Sequence, residues 1–184
     1  MKLMDKIDLA FKHFSMPANV NRLLQGCEEA GDDICSRSSG KGDIPQFVPA
    51  EGRISWDLLN SVVQQVYSDR QPVFCEWGSG VGLVTLLASS IGMPATGIEI
   101  EEELINLSRD FSTEYSIPAT FINGSIFPKH NQIPLFDYKK VELFFVYPWP
   151  DQIVSMLNLF EQVAASGAVL ICYHGGRNYR VIRR

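Results

Sequence analysis

The spacing of apolar residues predicts short strands that alternate with helices from about residue 54 onward. Five short, mostly apolar segments have the length of buried strands, and they span residues 72–77, 95–100, 119–122, 141–147 and 168–173. Amphipathic stretches separate these runs, and another predicted helix, with Ser55 as its expected N-cap, precedes the first strand. Strands that alternate with helices are typical of parallel sheets, so the pattern predicts an α/β fold.

The N-terminal quarter follows a different pattern. Residues 1–45 are predicted to form a helical N-terminal extension and loop, ahead of a domain that spans residues 46–184. Within the extension, residues 3–14 have apolar side chains at helical spacing, and residues 20–27 indicate a second helix. Residues 31–49 are rich in Gly, Ser, Asp and Pro and predict a loop, whose Gly40-Lys41-Gly42 lacks the flanking residues of a phosphate-binding loop.

Composition and charge narrow the class of protein. Apolar residues make up 46% of the chain and charged residues 20%, as in soluble globular proteins. The net charge of −5 disfavours nucleic acid as a partner. The four cysteines show no CxxC spacing, which favours reduced, buried thiols over disulfides or a metal site. Neither a signal peptide nor an apolar run of ~18 residues is present, so we expect a cytoplasmic protein without a membrane partner.

Candidate ligand-binding residues follow the first two predicted strands. Glu76 closes the first strand, and Gly78, Gly80 and Gly82 come at alternate positions after it. Glycines there allow the backbone to turn sharply and to approach a ligand closely. Glu99 closes the second strand about 20 residues past Gly78, where a carboxylate accepts hydrogen bonds from ribose hydroxyls. This arrangement indicates a nucleoside cofactor.

Two nucleoside cofactors are compatible with that arrangement, and the glycine spacing separates them. A dinucleotide site requires GxGxxG, but Leu83 stands where the third glycine of that pattern belongs. Glu76 would in addition repel a pyrophosphate. Neither Leu83 nor Glu76 disfavours a cationic ligand without phosphates. The sequence therefore favours S-adenosylmethionine over a nicotinamide dinucleotide.

The glycine segment and the Gly97-Ile98-Glu99-Ile100 segment together resemble the class I, Rossmann-like S-adenosylmethionine-dependent methyltransferases. The resemblance implies a three-layer fold with a mostly parallel sheet in the order 3-2-1-4-5, to which residues 177–184 add one further edge strand. It also implies a methyltransferase whose cofactor-binding residues are Glu76, Gly78, Gly80, Gly82, Glu99, Ile100, Gly124 and Ser125.

The same resemblance assigns a part of the cofactor to each of these residues. The three glycines are expected to wrap the methionine part, with Glu76 near its amino group. Glu99 is expected to hold the ribose hydroxyls and Ile100 to lie against the adenine. Gly124 and Ser125, after the third strand, are expected at the adenine edge.

The acceptor is expected at the end of the fourth strand. Tyr147, Pro148 and Trp149 are candidate substrate-binding residues there, because aromatic faces suit a planar or cationic acceptor. The alternative is that these aromatic residues only pack the end of the sheet. Tyr147 and His174 are the candidate catalytic residues, since an amine acceptor must lose a proton. The alternative for His174 is a loop histidine that is bonded to backbone.

Two subfamilies resemble parts of the chain. Pro148-Trp149-Pro150 resembles the transfer-RNA guanine-N7 methyltransferases, but those have an aspartate where this chain has Tyr147. Residues 46–50 and the segments around Gly80 and Glu99 resemble the small protein-lysine methyltransferases related to those that act on the adenine nucleotide translocase. That second resemblance implies that residues 46–50 fold over the cofactor or the acceptor. It favours protein lysine as the acceptor, followed by a small molecule and then nucleic acid; the alternative is a non-catalytic protein that retains the fold.

Overall fold

The computed structural model describes residues 4–38, 48–127 and 136–184 of the chain. The helices are α1 (Ala18–Ser38), α2 (Gly52–Val66), α3 (Leu83–Ser90), α4 (Glu102–Glu114) and α5 (Ile153–Val163). The strands are β1 (Asp5–Ile7), β2 (Phe74–Trp77), β3 (Ala95–Glu99), β4 (Thr120–Asn123), β5 (Leu143–Val146), β6 (Val169–Tyr173) and β7 (Tyr179–Arg183). A single 3-10 turn covers Tyr138–Lys140.

The described strands form one seven-stranded sheet in the order β1-β7-β6-β5-β2-β3-β4. The five strands from β4 to β6 are parallel, whereas β7 pairs with β6 and β1 pairs with β7 in the antiparallel direction. In terms of the five predicted strands this is the order 3-2-1-4-5, so the predicted α/β topology is confirmed. The further strand predicted for residues 177–184 is β7, but it does not form the edge of the sheet, because β1 pairs along its outer side.

Both faces of the sheet are covered, which explains why its central strands are continuously apolar. In β5, Leu143 and Phe145 face the side that is packed by α1 to α4, and Phe144 and Val146 face the side of α5. All four side chains are at most 1% exposed. The same alternation in β2 directs Glu76 toward α3 and Trp77 toward the other layer.

The prediction of a helix over residues 3–14 is wrong, because the described part of this segment forms β1 and then an extended strap, residues 8–14. Alternate backbone N–H groups of the strap, on Ala10, Lys12 and Phe14, donate to side chains at every fourth position of α2. The acceptors along α2 are Gln65, Ser61 and Asp57. Two residues of extended chain advance about 6.7 Å and four residues of helix about 6 Å, so the two repeats match.

Two other local predictions also differ from the structure. Helix α1 continues to Ser38, although residues 31–49 were expected to be a loop, because Ile34 extends the buried apolar face of the helix. Packing of that face outweighs the weak helix propensity of Gly31 and its neighbours. Helix α2 has Glu51 as its N-cap, so Ser55 lies inside the helix, where its N–H donates to the Glu51 carbonyl (2.9 Å).

The predictions for Gly40-Lys41-Gly42 and for Gln46 and Phe47 lie outside the described residues. The four cysteines are free thiols, and three of them, Cys27, Cys75 and Cys172, are buried. Among the described residues, none of the helices has both the length and the apolar composition needed to cross a membrane.

Candidate functional site

A cavity of about 510 Å³ opens at the carboxyl ends of β2, β3 and β5. This is where ligands bind in open α/β sheets, because the strand order reverses between β2 and β5. Every predicted site residue except Gly82 lines the cavity: Glu76, Gly78, Gly80, Glu99, Ile100, Gly124, Ser125, Tyr147, Pro148, Trp149 and His174. The cavity therefore brings together residues from five separate segments of the chain.

The glycine segment after β2 forms a tight loop in which each glycine has a positive φ. The values are 72° for Gly78, 54° for Gly80 and 82° for Gly82, a region that glycine enters without strain. A Cβ on Gly78 would have no heavy atom within 4 Å, so this position leaves room for a ligand. A Cβ on Gly82 would lie 2.8 Å from the Phe121 ring. Gly82 thus allows α3 to pack against β4.

Glu99 joins the ends of two strands through its carboxylate. Its Oε2 accepts a hydrogen bond from the backbone N–H of Gly80 (2.9 Å), and its Oε1 accepts from Ile100 (2.7 Å) and Glu101 (3.1 Å). Two carboxylate oxygens offer about four acceptor positions, so three amides leave capacity for another donor. These three hydrogen bonds hold the carboxylate in one orientation. Glu99 lines the cavity and is 8% exposed.

Glu76 is a buried acid whose partner is a residue of α3. The backbone N–H and the hydroxyl of Thr85 both donate to Glu76 Oε2, at 2.8 and 2.6 Å. Burial raises the pKa of the Glu76 carboxyl to about 8, and the nearby Glu99 adds to the effect, although the Thr85 hydrogen bonds oppose it. Without a cationic neighbour, Glu76 is therefore mostly protonated at neutral pH.

Next to Glu99, the cavity is lined by the apolar side chain of Ile100 and by the polar turn that follows β4. Ile100 is 45% exposed, which is unusual for a large apolar side chain and leaves it available to a flat ligand. The backbone N–H of Gly124 donates to the Glu99 carbonyl (2.8 Å), which fixes the segment after β4. The Ser125 hydroxyl accepts a hydrogen bond from the Phe127 N–H (3.1 Å), so it stabilises its own turn.

The opposite end of the cavity is aromatic. Tyr147, Pro148 and Trp149 follow β5, and Trp149 is 38% exposed. His174 follows β6, and its backbone N–H donates to the Asn178 carbonyl (2.8 Å). Burial, and then the charge of Arg180, lower the pKa of the His174 imidazole, so its ring is neutral at pH 7. The structure thus places both candidate catalytic side chains at one end of the cavity.

The ionised side chains around the cavity have one sign. The described residues that line it include the carboxylates of Glu99 and Glu101 and the protonated acid of Glu76, and none of these lining residues is a lysine or an arginine. Ser79 also lines the cavity, but its buried hydroxyl lies against Gly97 of β3. A lining with carboxylates and without lysine or arginine fits a polar ligand that is cationic or neutral.

Several residues of the site were not predicted from the sequence. Cys27 of α1 and Glu101 line the cavity. Val48 to Ala50, the described part of the segment predicted to fold over the cofactor or the acceptor, also line it. Thr85 donates two hydrogen bonds to Glu76 and is buried. As a polar residue in the otherwise apolar first turn of α3, Thr85 could have been identified from the sequence. Cys27 gave no such signal, because it has the spacing of an ordinary core residue.

A family profile matches part of the chain. The family is described as "Histone methylation protein DOT1", and it matches residues 48–122, less than half of the chain. The matched segment contains α2, the glycine loop, Glu99 and most of β4. No curated protein matches the chain in sequence.

Solved structures with the same architecture include three methyltransferases crystallised with S-adenosyl-L-homocysteine. An RNA methyltransferase from Salinibacter ruber is 17% identical, with a TM-score of 0.52 over 76% of this chain and 92% of that one. An O-methyltransferase from Bacillus cereus is 13% identical, with a TM-score of 0.58 over 86% and 67% of the two chains.

The third, the methyltransferase PaMTH1 from Podospora anserina, is 11% identical, with a TM-score of 0.62 over 88% of this chain and 64% of that one. At such low identity these similarities establish a shared fold and not a shared acceptor. The predicted fold is confirmed: the chain has the class I, Rossmann-like fold of S-adenosylmethionine-dependent methyltransferases.

Proposed function

We propose that this chain is an S-adenosylmethionine-dependent methyltransferase. The observation that carries the proposal is the cavity at the switch point of the sheet, lined by an open glycine loop and by carboxylates with no described basic side chain. S-adenosylhomocysteine bound to neighbours with this fold, and the partial match to a histone methylation family, support it.

The residues present fit this cofactor, which when bound supplies a methyl group activated by a sulfonium charge. Gly78 leaves open space in the loop after β2, where the methionine part fits. Glu76, whose carboxyl is protonated without a cationic neighbour, ionises beside an ammonium group. Glu99 has an acceptor position left for ribose hydroxyls, and the exposed face of Ile100 suits adenine. Gly124 and Ser125 lie at the same edge of the cavity.

For the acceptor we propose an amine, with protein lysine first and a small molecule second. The exposed ring of Trp149 and the half-buried ring of Tyr147 favour a cationic group, because the face of an aromatic ring attracts a cation. Nucleic acid is third, because phosphates need basic contacts that the described lining residues do not supply. Membership in the small protein-lysine methyltransferases is part of this proposal.

The acceptor end supplies groups for orientation and for proton removal. A protonated amine has no lone pair, so it must lose a proton before its nitrogen attacks the methyl carbon. His174 is neutral at pH 7 and lines that end of the cavity, so it is the candidate to accept the proton. Tyr147 and Trp149 restrict the approach of the acceptor, and positioning is the main requirement of a displacement at an activated carbon.

A protein that binds the cofactor without catalysing transfer is the second candidate. Tyr147 and two prolines occupy the end of β5, so no acidic side chain directly follows that strand. If the protein only binds the cofactor, S-adenosylmethionine and S-adenosylhomocysteine both bind. Tritium from labelled S-adenosylmethionine then enters neither the protein, the RNA nor the small-molecule fraction of a cell extract. Label in the protein fraction supports the first proposal.

The first experiment is calorimetric titration with S-adenosylhomocysteine of the wild type, Glu99→Ala and the control Glu102→Gln, an exposed acid on α4. We expect the Glu99 variant to lose about 2 kcal/mol, or about 30-fold in affinity, because charge-assisted hydrogen bonds to ribose and loop are lost. The control should bind as the wild type does, and NAD should not bind. Absence of binding to the wild type would refute the proposal.

A further inference from the structure

The side chain of Tyr147 is held at the acceptor end of the cavity by packing and not by its own hydrogen bonds. Its ring packs edge-to-face on Tyr173, with centroids 5.0 Å apart and an interplanar angle of 68°. Its hydroxyl lies so close to Gly175 that a Cβ there would be 3.1 Å from the oxygen. No described residue forms a hydrogen bond with that hydroxyl. The orientation of Tyr147 thus depends on where Tyr173 and the Gly175 turn are fixed.

Both of these neighbours are fixed by one oxygen atom of Glu51. Glu51 Oε1 accepts a hydrogen bond from the Gly176 N–H at 2.6 Å and another from the Tyr173 hydroxyl at 3.3 Å. Burial, and then the charge of Glu51, raise the pKa of the Tyr173 phenol, so that phenol stays protonated and remains a donor. The contacts close a ring that runs from Glu51 through Tyr173, Tyr147 and the glycine turn back to Glu51.

A structural role at the start of α2 does not explain this carboxylate. Glu51 occupies the N-cap position, yet its side chain makes no capping hydrogen bond to the helix. Its partners are instead 122 and 125 residues away along the chain. Glu51 also directly follows Val48 to Ala50, which line the cavity. Its hydrogen bonds therefore connect this part of the cavity lining to the turn after β6.

We infer that Glu51 is a positioning residue that fixes the orientation of Tyr147 at the acceptor end of the cavity. This inference rests on the proposed methyl transfer for its functional meaning, but its geometry can be tested without an acceptor. Because the two hydrogen bonds need an acceptor atom and not a charge, Glu51→Gln should preserve them. Glu51→Ala should abolish both, because alanine has no side-chain acceptor.

The test uses the full chain labelled with 3-fluorotyrosine and observed by fluorine NMR. The Tyr147 signal among the six tyrosines is assigned by its loss in Tyr147→Phe. We expect Glu51→Ala to shift or broaden that signal, and Glu51→Gln and the exposed control Asp110→Asn to leave it unchanged. Tyr173→Phe, which removes one donor and keeps the ring, should give a smaller shift than Glu51→Ala.

An unchanged Tyr147 signal in Glu51→Ala would overturn the inference, and so would an equal change in Glu51→Ala and Glu51→Gln. Once tritiated S-adenosylmethionine has identified an acceptor fraction, Glu51→Ala should lower transfer about 10-fold. Its affinity for S-adenosylhomocysteine should stay within about 2-fold of the wild type. Failure of the wild type to bind S-adenosylhomocysteine would refute the proposed function and leave the fluorine result standing.

Discussion

At the scale of single residues, the protonation of Glu76 links the cavity to the stability of the fold. The pKa of its buried carboxyl is raised from 4.5 to about 8, so the native state keeps a proton that the unfolded chain loses above pH 4.5. The contribution of Glu76 therefore lowers the free energy of unfolding as pH rises from about 4.5 to about 8. The full difference is on the order of 5 kcal/mol.

Glu76→Gln should remove this pH dependence, because a neutral amide does not titrate. Urea unfolding of the ligand-free protein between pH 5 and 8 measures it. We expect the stability of the variant, relative to the wild type, to increase with pH by several kcal/mol. Glu102→Gln, in which an exposed acid of α4 is replaced, is the control for a change of charge outside the cavity. Parallel curves for Glu76→Gln and the wild type would contradict the raised pKa.

Residues at strand ends could be predicted from the sequence, whereas their partners across the fold could not. Glu76, Glu99 and the glycine loop are local features of a strand and the turn that follows it, so sequence order alone places them at one edge of the sheet. Thr85 and Glu51 act on residues that only the tertiary structure brings near. Glu51 in particular meets the turn after β6, more than 120 residues away.

At the scale of elements, the strap of residues 8–14 shows why apolar spacing can mislead. Apolar residues 3 and 4 apart, such as Ile7, Ala10, Phe11 and Phe14, predict a helix. The segment is extended because β7 offers an unpaired edge and α2 offers polar side chains at a matching repeat. The backbone N–H groups that a helix would pair internally are thus paired with side chains of α2 and with β7.

The predictions of the parallel strands were more reliable, because a nearly continuous apolar segment bounded by turns is compatible with fewer alternative structures.

Asp57 of α2 is the main attachment point of the strap. Its carboxylate is 1% exposed and accepts from the Phe14 N–H (2.9 Å), His13 Nδ1 (2.7 Å) and Arg53 (3.0 Å). We expect Asp57→Ala to reduce the free energy of unfolding by about 2 kcal/mol, because the Phe14 N–H and the partly exposed side chains of His13 and Arg53 lose their shared acceptor. Hydrogen exchange of the Phe14 amide should accelerate in the same variant, because Asp57 is its acceptor.

The matched control for this prediction is Asp8→Asn. Asp8 is also in the N-terminal segment, but its pair with Lys6 joins side chains that are 88% and 74% exposed. Its replacement should leave both the urea midpoint and the exchange rates close to those of the wild type, as expected for a surface pair. Equal exchange of the strap in Asp57→Ala and in the wild type would show that the strap is held elsewhere.

At the scale of the whole molecule, the N-terminal segment belongs to the same core as the sheet. The side chains of Val20, Leu23, Cys27 and Ile34 on α1 are at most 2% exposed and form one cluster with α2, α3 and the central strands. Cys27 also lines the cavity. Burial of an apolar side chain contributes about 1.5–3 kcal/mol, so these four residues together contribute an amount comparable to the whole stability of a domain.

Two truncations test whether residues 46–184 form a domain without the N-terminal extension. Removal of residues 1–17 takes away β1 and the strap, and we expect a folded protein with a lower Tm, because α1 still covers the core. Removal of residues 1–45 takes away α1 as well, and we expect no cooperative thermal transition by circular dichroism and strong binding of a hydrophobic dye. A cooperative transition of the shorter chain at the wild-type Tm would show that α1 is dispensable for folding, and that residues 46–184 are an independent domain.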